Sequence, residues 1–133
     1  MTAQCLQPTI PFNDDEVTQG YFARIGHFQT GADAGRFCRF FDLSRADFRD
    51  GNSRCVEVIA AISGESSTRL QHNVIQQDAG DVLRLRGEGL GLPMVRRVSV
   101  RFCPRCLLAD KDKAPSLERA AWRFRWSWLL KPV

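Results

Sequence analysis

The chain has no long apolar run, few histidines and no second pair of close cysteines among its 133 residues. No stretch of about 18 apolar residues occurs, which excludes a membrane-spanning helix. The opening Met1-Thr2-Ala3-Gln4-Cys5-Leu6 lacks a basic segment leading into an apolar one, so a secretory signal is not expected there. The five cysteines are an odd number, and only Cys103 and Cys106 lie near one another. That suits a disulfide framework poorly and points to a reduced, cytoplasmic protein. Catalytic signatures are missing too. There is no Ser, His and Asp set of suggestive spacing, no phosphate-binding loop and no H-E-x-x-H motif. Asp14, Asp15 and Glu16 are consecutive and fan out around a helix, unlike the separated acids of a two-metal transposase site. An enzyme is therefore not expected.

What is present describes a globular protein. The 44% apolar content, with nine Phe and three Trp, argues against global disorder. The length fits one domain or two very small ones. The net charge of +4 conceals a division. Residues 1–83 carry seven Arg against eleven acids, whereas residues 84–133 carry twelve Arg and Lys against four acids. A basic second half can attract a phosphate backbone, although a solvated strand face would also use arginines.

The hydrophobic pattern divides the chain in the same way. Residues 1–13, with Pro8 and Pro11, read as an extended entry. Acids at 14–16 then open a helix by opposing its macrodipole, and Val17, Tyr21, Ile25 and Phe28 form its apolar face up to Gly31. Further helices are expected at about 33–41, from Ser44 to Asp50-Gly51, at about 53–63 with Cys55, Ile59 and Ile62 inward, and at about 66–76 behind a Ser66 cap. Asp78 to Asp81 reads as a turn. After it, Val82 to Arg86 suggests a short strand, and Gly87, Gly89, Gly91 and Pro93 an irregular loop. Residues 97–102 alternate as a strand, and residues 110–116 read as a charged loop. Trp122, Phe124, Trp126 and Trp128 alternate with Arg123, Arg125 and Ser127. These aromatics are read as a buried strand face, with stacking on bases as the alternative. The expected fold class is α+β: a helical domain over 1–80, then short strands and a partial zinc ribbon over 81–133.

Two motifs carry functional expectations. Cys103-Pro104-Arg105-Cys106 has the spacing of a knuckle whose two thiolates face one tetrahedral zinc ion, and a strand leads into it. Zinc needs two more ligands. Cys5, Cys38, Cys55, His27 and His72 all lie in the helical half and are poor candidates. The second motif is Ala60, Gly64 and Leu70, the small, turn and buried positions of a helix-turn-helix. Its second helix would present Ser67, Thr68, Arg69, Gln71 and His72 to phosphates and base edges. Asn73 occupies a place that is usually apolar, and Val74 could substitute for it. A plain helical hairpin with a polar outer face is the competing reading.

Together these pieces resemble the TniQ family. The resemblance runs from Pro11-Phe12-Asn13-Asp14-Asp15-Glu16 through Tyr21 to Ile25, then Ile59 to Gly64. It continues with Arg101-Phe102-Cys103-Pro104-Arg105-Cys106-Leu107 and Asp110, and ends on Arg119-Ala120-Ala121-Trp122. It implies a non-catalytic accessory role in DNA transposition. Such a protein helps choose the insertion site, binds target DNA or a guide-RNA complex, and recruits an AAA+ ATPase. The family continues into a second knuckle, whereas this sequence reaches Lys131-Pro132-Val133 where that knuckle should begin, so the zinc site is expected to be incomplete. The alternatives are a small helix-turn-helix regulator outside transposition and an inactive remnant of a transposon gene.

Overall fold

The computed structural model describes residues 5–77, 82–91, 102–113, 123 and 125. Five helices come first: α1 (Thr18–Thr30), α2 (Ala34–Phe40), α3 (Arg45–Asp50), α4 (Ser53–Ser63) and α5 (Ser67–Asn73). A small sheet of β1 (Gln76–Gln77), β2 (Val82–Leu85) and β3 (Glu88–Gly91) follows, and then α6 (Pro104–Lys113). The fold is α+β with an N-terminal helical array, as the pattern implied. Among the described residues no helix is long and apolar enough to cross a membrane.

The helix boundaries follow from side-chain chemistry. Asp33, Ser44, Asn52 and Ser66 each accept a hydrogen bond from the backbone N–H three residues on, which satisfies a donor the helix itself leaves unpaired. Gly31, Gly51 and Gly64 end α1, α3 and α4 in the left-handed conformation. Gly51 is also an approach point. A Cβ there would lie 2.1 Å from the Ile75 carbonyl oxygen, so only a bare backbone lets α3 pass the chain that enters the sheet.

The core is aromatic at its centre. Phe22 stacks obliquely on Phe37 at 4.8 Å and on Phe48 at 5.4 Å, while Ile25, Ile59, Ile62 and Leu70 close around them. A smaller cluster of Val17, Leu83 and Leu85, with Ile75 and Leu90 against it, fixes the sheet to the helical body.

The sheet is antiparallel in the order β1-β2-β3. β2 and β3 form a hairpin in which Leu85 faces Glu88, so Arg86 and Gly87 are its two-residue turn. Both have positive φ, 54° and 81°, as a turn matched to strand twist requires. The expectation of an irregular loop after Gly87 is therefore corrected, since Glu88–Gly91 pairs as a strand. The fifth helix is shorter than expected. It stops at Asn73 because Val74 and Ile75 turn extended, and both backbone groups of Ile75 are taken by the Gln19 side chain, at 2.8 and 3.1 Å. β1, before residue 80, pairs with β2, after it. The charged loop expected from 110 is helical through Lys113. Of the strand expected at 97–102, residues 97–101 lie outside the described residues, as do the turn at 78–81 and Trp122, Phe124, Trp126, Ser127 and Trp128 of the strand expected over 122–128.

The three consecutive acids do not sit in a helix. No acid lies in the first turn of α1, which starts at Thr18. Each acid instead holds an arginine from a different part of the chain. Glu16 is fully buried and takes a two-pronged contact from Arg24, at 2.6 and 2.8 Å. Burial pushes the Glu16 carboxyl above its ordinary 4.5, outweighing the opposite pull of the Arg24 hydrogen bond. Asp14 holds Arg69 at 2.8 Å. Asp15 holds Arg123 at 2.7 Å and Arg125 at 3.3 Å, and a single antiparallel bridge pairs Glu16 with Arg125. The same two arginines enclose Asp110 of α6, at 3.0 and 2.9 Å. Burial alone would raise the Asp110 carboxyl, but hydrogen bonds from Arg125 and Arg123 win and hold it below 3.8.

Two predictions follow from this packing. Gly51→Ala combines a left-handed φ with a backbone clash and should lower stability by about 2–5 kcal/mol in urea unfolding. The second concerns acid. A carboxylate with a depressed folded value stabilises the fold above its unfolded value, and that contribution fades as pH falls through the folded one. Asp110→Asn should therefore melt below the parent protein at pH 7, and the two melting temperatures should converge as the pH falls from the ordinary 3.8 through the lower folded value.

Candidate nucleic-acid interface and cysteine pair

The α4–α5 pair has the packing its sequence spacing suggests. Gly64 sits at φ 74° and its N–H returns to the Ala60 carbonyl, which turns the chain sharply. Leu70 is fully buried and packs α5 back onto the core. The amide at the unusual position, Asn73, is buried and satisfied. Its Nδ2 donates to the Asp14 carbonyl at 3.1 Å, and its Oδ1 accepts from Arg86. Val74 beside it is buried as well, so the apolar place is filled one residue later.

The outer face of α5 opens on a cleft of about 570 Å³. Ser67, Thr68, Gln71 and His72 line one side, Arg84 and Arg86 of the hairpin another, and Ser53 and Glu57 of α4 and Gln76 of β1 add further polar groups. Val56 and Val74 add apolar surface. Four of the five residues expected to face nucleic acid therefore share one concave surface. Arg69 does not line it. Its guanidinium lies 5.3 Å over the Phe12 ring, pairs with Asp14 and Glu65, and donates to the Phe12 carbonyl. It fastens the entry segment to α5. The residues missed from sequence are Arg84 and Arg86. Alternation with the buried Leu83 and Leu85 is the signal that could have turned Arg84 outward, but only the hairpin register brings it opposite α5.

The cysteine pair opens α6. Cys103 takes the capping position: its carbonyl accepts the first helical bond from Leu107 at 3.1 Å, and its Sγ accepts from the Cys106 N–H at 3.4 Å. Pro104, at the first helical position, loses no hydrogen bond there. The amide-to-sulfur contact holds the Cys103 thiol below its ordinary value, while Cys106, whose own thiol donates to the Cys103 sulfur, is pushed up. An N–H aimed at sulfur is what a metal knuckle needs. Two thiols are nevertheless half of a tetrahedral set. Among the described residues no group of three or more His, Cys, Asp or Glu side chains is assembled around the pair. Cys38 and Cys55 are excluded as ligands by burial in the core, which pushes the Cys55 thiol up to about 12.

Helices carrying a turn-linked pair, followed by a small sheet and a paired-cysteine helix, define a non-repetitive α+β protein with a cleft between α5 and the hairpin. A family model described as TniQ matches residues 8–133, and the chain belongs to the TniQ family. It is thus a transposition-associated accessory protein. No curated protein and no solved structure matches the chain.

Thiol labelling of the native protein should separate the cysteines by accessibility. Iodoacetamide is expected to reach Cys5, Cys103 and Cys106 in the folded protein, with Cys103 ahead of Cys106 because its thiol is the more acidic, while Cys38 and Cys55 react only after unfolding. Mass spectrometry of the peptides reads the order, and fast labelling of Cys55 in the folded state would contradict the packing.

Proposed function

We propose that this protein helps select the target in DNA transposition by contacting target DNA through the outer face of α5, and that it recruits an AAA+ ATPase to the chosen site. A guide-RNA complex is the other partner the family resemblance implies. The observation that carries the DNA reading is the shared cleft. Ser67, Thr68, Gln71 and His72 offer hydroxyl, amide and imidazole groups along a single exposed helix face, beside Arg84 and Arg86. Side chains of these types hydrogen-bond phosphates and base edges. Family membership supports the transposition context. Cys103 and Cys106 belong to this reading as two zinc ligands whose partners come from outside the described residues.

Binding of the full chain to a mixed-sequence duplex, followed by fluorescence anisotropy, tests the proposal. Affinity should fall steeply with added salt, because phosphate contacts release condensed counterions. A Thr68→Ala/Gln71→Ala double variant should bind about tenfold more weakly, in line with the ~1–3 kcal/mol of a side-chain pairing to a base. No binding at low salt would remove the direct DNA role.

A further inference from the structure

The hairpin contributes to the cleft in a way that a helix-turn-helix alone does not. Leu83 and Leu85 point into the cluster around Val17, so Val82 and Arg84 occupy the outward face of β2. The turn is anchored to the far end of α5. The Arg86 N–H donates to the His72 carbonyl at 3.1 Å, and its guanidinium donates to the Asp14 carbonyl at 3.0 Å and to Asn73. The hairpin therefore stands at a fixed distance from the exposed side of α5, and Arg84 lines the gap between them.

We propose that the β2–β3 hairpin is a wing, and that the cleft between it and α5 seats one phosphodiester strand of a DNA duplex. This rests on the reading of α5 as a DNA-facing helix. The charge of the cleft favours that occupant. Among the described lining residues Arg84 and Arg86 are the cations and Glu57 on α4 is the single acid, while Ser67 and Thr68 supply hydroxyl donors. The two sides then divide the work. Arg84 makes a sequence-independent contact to the backbone, while Gln71 faces the bases.

The test compares the full-length parent, Arg84→Gln, Arg84→Lys and Gln71→Ala on two duplexes of unrelated sequence across a salt series. Arg84→Gln should weaken both duplexes by the same factor and reduce the slope of log affinity against log salt by about 1. Arg84→Lys should keep the slope. Gln71→Ala should change the ratio between the two duplexes and leave the slope intact. If Arg84→Gln also lowers the melting temperature, Val82→Lys decides: a charge added on the same outward face should steepen the slope, and an unchanged slope overturns the wing. Normal binding by Arg84→Gln, alongside weakened binding by Gln71→Ala, overturns the wing and leaves the α5 reading standing. A parent that binds no duplex overturns both, and tighter binding of single-stranded RNA than of duplex overturns the proposed occupant.

Discussion

The fold turns on a carboxylate shut away from bulk solvent. Glu16 is fully buried, and an ionised group in that position is tolerated only with a close, well-oriented counter-charge. Arg24, eight residues on in α1, supplies it with two hydrogen bonds and adds a third to the Pro11 carbonyl. Stranding one member of such a pair typically costs about 3–5 kcal/mol. The pair thereby pins the entry segment across α1 and sets where the flanking acids project. Asp14 reaches α5 through Arg69, and Asp15 reaches the late chain through Arg123 and Arg125. One short acidic run ties together segments more than a hundred residues apart.

Much of the helical array was legible because its signals are local. Ser44 and Ser66 cap, Gly31, Gly51 and Gly64 stop, and the apolar residues between them recur at helical spacing. The acids were misjudged for the opposite reason. Helix-dipole chemistry explains Asp14, Asp15 and Glu16 equally well on paper, and nothing nearby in sequence names partners 8, 55 or 108 residues away. Arg69 was misassigned by the same gap: its place on α5 was correct, but Phe12 and Asp14 draw it away from the open face. The third strand was hidden by its glycines, which read as loop until paired with β2. The cleft was half legible. The α5 residues followed from the turn spacing, but Arg84 and Arg86 required the hairpin register.

The charge division along the sequence acquires a different meaning in three dimensions. A surplus of acids early and of arginines late suggested a basic surface for polyanions. Part of that surplus is used internally, since Arg123 and Arg125 close on Asp15 and Asp110. Segregation along the chain thus becomes pairing between its two ends. Among the described residues, the cations that line the cleft come from the hairpin instead.

Asn73 has a consequence for how the cleft would meet a ligand. Its amide is hydrogen-bonded on one side to the entry segment and on the other to the hairpin turn, at the end of the helix that lines the opening. That helix cannot swivel without breaking contacts in two other places at once. A partner would thus encounter a surface already in shape, with little freedom left to surrender on docking, so association should resemble the meeting of two rigid bodies more than the folding of one around the other.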